Sequence, residues 1–245
     1  MANFIDNYCE FPTVLRRPMW QIWHRLLSKF DKDSSVNFMN YGYEELCGTK
    51  KIELKKEDEE NRYCIQLYDT VAKGTDLLNK KVLEVGSGRG GGADYIARYH
   101  KTESYTGLDI STDVIRFCKK TYNTPGLSFK KGRAEKIPFE KDSFDAVVNV
   151  ESARCYSNIS QFFKEVHRIL IPEGYFLFAD MIEKEEVSEM RNKIAHNGFH
   201  ILRGTDITKN VAKGLEMDTL RRERIINNRV PAFLRRSFER FAGTK

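Results

Sequence analysis

One stretch of this chain narrows its fold more than any other. Lys81-Val82-Leu83-Glu84-Val85 is a short, mostly apolar run, and Gly86-Ser87-Gly88-Arg89-Gly90-Gly91-Gly92 follows it at once. An apolar run of that length, closed by glycines, reads as a buried strand. Glycines allow a tight turn at positive φ and let a ligand approach the backbone. The helical pattern that follows over 93–99 would present unpaired N–H groups at its start. Strand, glycine turn and helix in that order open a ligand-binding α/β sheet.

The next hundred residues repeat the alternation. Strand-like segments are expected at 105–108 (ending at Asp109), 127–129, 144–150, 175–179 and 199–202. Helix-like segments are expected at 112–121, 159–170 and 185–196. Residues 144–150 are nearly all apolar, as a strand covered on both faces must be. Strands alternating with helices imply a doubly wound, mostly parallel, Rossmann-like sheet with right-handed crossovers. Three segments are therefore expected: an N-terminal helical lid over 1–61, a Rossmann-like domain over 62–205 and a basic helical segment over 206–245.

The flanks carry their own signals. Trp20, Trp23, Leu27 and Phe30 recur at helical spacing, and Asn37–Tyr43 is an aromatic, Gly/Asn-containing loop. The net charge of +6 is local, because eight Lys/Arg against two Glu lie from Arg221 onward. Such a patch attracts anionic groups, so membrane-surface contact through the C-terminal segment stays open, as does homo-oligomerisation. No nucleic-acid module accompanies it. Five scattered cysteines without a C-x-x-C suit neither a disulfide framework nor a zinc site. No metal site is expected, and a reducing, cytoplasmic setting fits.

Gly86-x-Gly88-x-x-Gly91 alone is a weak dinucleotide fingerprint. Two carboxylates change its meaning. Glu84 precedes the first glycine by two residues, where a pyrophosphate would be repelled and a cationic ligand favoured. Asp109 ends the second strand, in position to accept hydrogen bonds from ribose hydroxyls. An adenosine bearing a cationic amino-acid tail satisfies both; a nicotinamide dinucleotide satisfies only Asp109.

Glu84-Val85-Gly86-Ser87-Gly88-Arg89-Gly90, Asp109, Gly132-Arg133-Ala134-Glu135-Lys136-Ile137-Pro138-Phe139, Phe144-Asp145-Ala146-Val147 and Arg168-Ile169-Leu170-Ile171-Pro172-Glu173-Gly174 together resemble the class I S-adenosylmethionine-dependent methyltransferases. Asn40-Tyr41-Gly42-Tyr43 and Val148-Asn149-Val150-Glu151-Ser152, with Ile207-Thr208 and Asn210-Val211, are similar to a subgroup acting on lipids and polyketides: the phthiotriolone/phenolphthiodiolone dimycocerosate and fatty-acid O-methyltransferases.

The resemblance implies S-adenosylmethionine as cofactor. Gly86, Ser87, Gly88 and Gly90 would approach its methionine end, with Glu84 fixing the loop or the amino group. Asp109 would hold the ribose and Ile110 would lie under the adenine, flanked by Ala134 and Glu135. Asn149 would sit beside the sulfonium, and Tyr41 would come from the lid. Glu151 is the candidate catalytic base. The reaction implied is methyl transfer to a small, apolar or anionic acceptor, at oxygen. Trp20, Trp23, Phe38, Tyr41, Tyr43 and Tyr156 would wall the acceptor pocket. The family's sheet usually ends in a seventh, antiparallel strand, for which no residues are evident. Arg154 stands where family members often carry histidine; it suggests an anionic acceptor or a structural ion pair. These departures keep a second reading, a weak or inactive S-adenosylmethionine-binding partner of an active paralogue. A nicotinamide oxidoreductase is disfavoured by Glu84.

Overall fold

A computed structural model describes residues 36–46, 48 and 51–244. The expected helix around Trp20–Phe30, together with Cys9 and Cys47, lies outside the described residues. The chain divides into two compact units. One is Thr70–Thr205; the other joins the described residues up to Asp69 to those from Asp206 onward.

The chain up to Asp69 contributes a 3-10 turn (Lys56–Asn61) and most of helix α1 (Arg62–Ala72), whose end enters the Thr70–Thr205 unit. Strand β1 (Lys81–Val85), helix α2 (Gly91–Tyr99), strand β2 (Ser104–Asp109), helix α3 (Thr112–Thr121), strand β3 (Leu127–Lys131) and strand β4 (Phe144–Val150) follow. Helix α4 (Ile159–Ile169), strand β5 (Leu170–Ala179) and helix α5 (Val187–His196) complete this unit. The helices begin where side chains can take the first free amides: the Ser111 hydroxyl accepts from Val114 N–H at 3.4 Å, and Asn158 Oδ1 accepts from Gln161 N–H at 3.0 Å.

The sheet has five strands in the order β3-β2-β1-β4-β5, and every pairing is parallel. The chain order reverses direction between β1 and β4. The carboxyl ends there part around a crevice, the place where open α/β sheets bind ligands. Leu83, Val85 and Val147 pack with Phe162, Phe163, Val166 and Ile169 of α4, all buried. The α4 spacing puts those four side chains on one helical face. Each fully buried phenylalanine contributes about 2–3 kcal/mol by area.

Two expectations need correction. No strand forms at 199–202, where Leu202 is 80% exposed. Phe199 instead sets its ring edge-on to His167 and beside Phe176, so its side chain docks while its backbone joins no ladder. Strand β5 is longer than 175–179, because Leu170 pairs with Phe144 across a register shift. Glu173, at φ +63, and Gly174 lie in the bulge this creates.

The second unit contains α6 (Thr208–Arg229) and α7 (Ala232–Ala242). Ile226, Val230 and Phe238 make a small core between them. Asp218, 2% exposed, accepts from Arg221 Nε at 2.6 Å and from Arg222 Nε at 2.8 Å. Arg222 also donates to the Asn40 carbonyl at 2.9 Å, which ties α6 to the chain around residue 40. Gly214 is needed here: a Cβ on it would lie 2.7 Å from Tyr43 Cα. No helix among the described residues is long and apolar enough to cross a membrane. The described free cysteines are Cys64, Cys118 and Cys155.

Candidate active site

The glycine turn after β1 is anchored to β2 by its first two amides. Gly86 N–H and Ser87 N–H both donate to the Leu108 carbonyl, at 2.8 and 3.0 Å. Gly86, Gly88 and Gly90 all have positive φ, +77, +50 and +80 degrees. Their surroundings differ. A Cβ on Gly86 would sit 2.7 Å from the Tyr156 hydroxyl, and one on Gly90 would meet the Tyr122 and Phe129 rings at 2.8 and 2.9 Å. A Cβ on Gly88 would meet nothing within 4 Å. The turn is therefore packed at both ends and open at its tip, as a ligand-cradling backbone should be.

Asp109 at the end of β2 reaches back to that tip. Its Oδ2 accepts from Gly88 N–H at 3.1 Å and its Oδ1 from Ser111 N–H at 2.8 Å. Burial pushes its carboxyl up to about 6, against the opposing pull of the Ser111, Gly88 and Ile110 amides. Ile110 follows with 38% of its surface exposed, an apolar platform beside the carboxylate. Glu84 is fully buried and accepts from the Tyr105 hydroxyl at 3.1 Å. Leu83 and Val85 belong to the core on one face of the sheet, so Glu84 points to the other. Ala134 is buried beyond β3. The Glu135 carboxylate accepts from both N–H and hydroxyl of Ser157, at 3.0 and 2.6 Å, and pairs with Arg133 at 3.7 Å. Burial raises the Glu135 carboxyl, but these bonds outweigh it and hold the group below the usual carboxylate range.

The end of β4 carries a polar knot. Asn149 Nδ2 donates to the Val85 carbonyl (2.8 Å), the Ser152 hydroxyl (2.8 Å) and the Tyr156 hydroxyl (2.9 Å). Tyr156 and Ser152 share a further 2.9 Å bond, and the Tyr156 hydroxyl also donates to the Val85 carbonyl at 3.1 Å. Burial raises the Tyr156 phenol well above its usual range. The knot fills the space beside Gly86 and locks the β1 and β4 ends together. Glu151 has φ +49, uncommon for a residue with a Cβ, and its N–H donates to the Ala179 carbonyl at 2.7 Å. Such backbone strain clusters at active sites and ligand clamps.

Two buried acceptors next to this crevice have no hydrogen-bond donor: Ser87 Oγ and Asn149 Oδ1. Buried polar atoms are seldom left unsatisfied. Together with the open tip at Gly88 and the exposed Ile110, they fit a nucleoside with a cationic, hydrogen-donating tail. Comparison with known proteins agrees. A family profile described as a methyltransferase domain matches residues 83–178. The fatty-acid O-methyltransferase of Mycolicibacterium smegmatis is 41% identical over 212 residues, 86% of this chain and 77% of that protein. The phthiotriol/phenolphthiotriol dimycocerosates methyltransferase of Mycobacterium tuberculosis is 37% identical over 233 residues, 95% of this chain and 86% of that protein. This chain belongs to the S-adenosylmethionine-dependent methyltransferases.

Solved structures place the methyltransferase in the same fold. The [4+2]-cyclase SpnF superposes with a TM-score of 0.65 at 17% identity, covering 91% of this chain and 86% of its own. A sarcosine dimethylglycine methyltransferase, titled as putative, from Galdieria sulphuraria gives 0.65 at 16% identity, covering 89% and 90%. At such identities the likeness speaks for the fold alone.

Within this methyltransferase, the carboxyl edge of the sheet brings together the glycine turn, Asp109, Ile110, Ala134, Glu135, Asn149 and Glu151, from the ends of four strands. Tyr41 belongs to the other unit, where it is buried. Sequence reasoning left two contributors without their roles and missed a third. Ser152 was legible only as motif context. Tyr156, expected in the acceptor wall, has its hydroxyl committed to the knot. Asp180 was missed altogether: it follows β5 and accepts from Arg154 Nη1 at 3.0 Å and Arg154 N–H at 3.0 Å. Arg154 therefore makes a buried ion pair, with side chains 6% and 2% exposed. Burial raises the Asp180 carboxyl, opposed by the Arg154 charge and by backbone amides. No cluster of metal-ligating residues occurs among the described residues.

Proposed function

We propose that this methyltransferase methylates an oxygen atom of a lipid-like, apolar acceptor, with Glu151 as the base. The observation that carries the reading is the 41% identity to a fatty-acid O-methyltransferase over most of both chains. The left-handed backbone of Glu151, just past β4 beside the glycine turn's strand, supports its role.

When bound, S-adenosylmethionine supplies a methyl carbon made electrophilic by its sulfonium. The chain's residues align and desolvate. The Gly86–Gly90 turn, with Ser87 Oγ, takes the amino-acid tail, and Glu84 beneath β2's Tyr105 favours its positive charge. Asp109 accepts from the ribose. Ile110, Ala134 and Glu135 would border the adenine, and Asn149 would lie on the sulfonium side. Glu151 would accept the proton of an acceptor hydroxyl, while the bound cofactor would supply the methyl carbon and its sulfur would keep the electrons of the broken carbon–sulfur bond.

The test is turnover of isotopically labelled S-adenosylmethionine over fatty acids, long-chain alcohols, polyketide-like alcohols and phenols, with products identified by mass spectrometry. Labelled methyl on the oxygen of an apolar acceptor is the expected result. Transfer confined to polar amines refutes the proposal. Tight binding of S-adenosylhomocysteine without turnover across the panel favours the non-catalytic partner reading.

A further inference from the structure

The glycine turn after β1 is backbone of the kind that is hardest to hold still, because glycine loses more conformational freedom on ordering than any other residue. Gly86, Gly88 and Gly90 stand at positive φ, and the tip at Gly88 has open space around it. Yet every carbonyl from Ser87 to Gly90 is engaged. Gly90 N–H donates to the Ser87 carbonyl at 3.0 Å, and Asp94 N–H donates to the Gly90 carbonyl at 2.9 Å. Those are backbone bonds that the turn and α2 make for themselves. The two carbonyls between them are taken by side chains from α3.

Cys118 Sγ donates to the Gly88 carbonyl at 3.4 Å, and the Tyr122 hydroxyl donates to the Arg89 carbonyl at 3.0 Å. Spaced four residues apart at the end of α3, the two side chains leave it on one face. The Phe117 ring lies under the Arg89 guanidinium, 3.7 Å from its centroid. The Tyr122 ring packs by Phe129 against Gly90. Just past α3, the Thr124 hydroxyl donates to Asp94, whose own N–H holds Gly90. Burial raises both the Cys118 thiol and the Tyr122 phenol, so each keeps its proton and remains a donor. A peptide unit is planar and trans. A carbonyl held toward α3 therefore turns the next residue's N–H to the opposite side of its plane. Cys118 and Tyr122 fix two successive planes at the tip of the turn in this way.

We infer that Cys118 and Tyr122 are positioning residues for the cofactor, which hold the Gly88 and Arg89 peptides in their binding orientation before S-adenosylmethionine arrives. The inference rests on the assignment of the turn to the cofactor's amino-acid tail, proposed above, and deepens it. Both side chains act through the backbone, with no need to touch the ligand. Their contribution is preorganisation: the turn is ordered on folding rather than on binding.

The experiment measures calorimetric binding of S-adenosylhomocysteine, with Tm, for wild type, Tyr122→Phe, Cys118→Ala, Cys118→Ser and, as a control on the exposed side of α3, Lys120→Ala. Phenylalanine keeps the ring and removes only the hydroxyl. Tyr122→Phe should weaken binding about 5-fold, the worth of one neutral hydrogen bond, with a less favourable binding entropy. Cys118→Ala should weaken it about 2- to 3-fold, since a thiol is a weak donor, and Cys118→Ser, which restores a donor, should recover part of the loss. Lys120→Ala should bind as wild type does. In turnover, KM for S-adenosylmethionine should rise by the same factors while kcat and the acceptor KM stay unchanged. A merely structural role would lower Tm and leave affinity alone. That result, or a Tyr122→Phe loss confined to kcat, overturns the inference and leaves the cofactor assignment standing. If wild type itself does not bind S-adenosylhomocysteine, the assignment of the turn fails as well.

Discussion

Asp109→Asn probes the strongest coupling between site and stability. In the ligand-free protein the Asp109 carboxyl is raised from 3.8 to about 6, chiefly by burial. A folded-state value above the unfolded one means that the protonated form is the one folding prefers. That contribution is whole below about pH 4 and is lost as pH rises through about 6. A shift of about two units corresponds to at most ~3 kcal/mol, less whatever solvent contact Asp109 keeps. Asparagine mimics the protonated state at every pH, though it loses one amide bond, from Gly88 or Ser111. That loss is a constant offset. The stability of wild type relative to Asp109→Asn should therefore fall between pH 4 and pH 7.5. For a chain of this size the change corresponds to roughly 5–10 °C in Tm. Thermal unfolding of both proteins across that range, without ligand, measures it. A difference that stays flat with pH refutes the burial argument. If Asp109 holds the ribose as proposed, the same substitution should weaken S-adenosylhomocysteine about 10- to 100-fold, because a charged acceptor is replaced by a neutral one.

Gly86→Ala should fail to bind S-adenosylhomocysteine and should lower Tm, because its Cβ would meet the Tyr156 hydroxyl at 2.7 Å. Gly88→Ala should cost only about 1–2 kcal/mol of backbone strain, since no atom of the chain lies within 4 Å, yet should still weaken the ligand; calorimetry and thermal unfolding separate the two. Asp218→Asn should lose about 3–5 kcal/mol, because Arg221 and Arg222 would be left as buried charges without their carboxylate; urea unfolding checks this, and a loss under about 1 kcal/mol contradicts it. Phe233→Ser/Arg236→Ser should leave stability within about 0.5 kcal/mol, as both residues are exposed. The pair should abolish co-sedimentation with anionic vesicles; a wild type that never sediments with them removes the membrane-surface reading.

The elements nearest the site were legible because local pattern and tertiary demand coincide there. Strand β4 is apolar throughout since it is covered on both faces, and α4 carries its apolar residues on one stripe. The glycines of the β1 turn are required by φ and by neighbours alike. Residues 199–202 show where pattern fails: an aromatic and two aliphatics suggest a strand, but Phe199 is satisfied by side-chain contact with His167 and Phe176. The extension of β5 to Leu170 was hidden behind Pro172 and Gly174, which read as a stop although they form a bulge. Asp180 could not be found by spacing, because its partner lies 26 residues earlier and meets it only through the β4–β5 pairing. Arg154 was singled out, and its two alternatives could be separated only by locating that carboxylate.

The unit that contains Asp218 is assembled from two stretches separated by the whole of Thr70–Thr205. During synthesis the earlier stretch leaves the ribosome first, and at about 5–20 residues per second it waits roughly 10–30 s for α6. Throughout that interval Asn40 and Cys64 lack the arginine and aspartate contacts that later enclose them. The intervening sheet, complete in itself, is free to fold meanwhile. Nascent chains halted before residue 206 should thus carry a protease-resistant centre behind a readily cleaved leading segment.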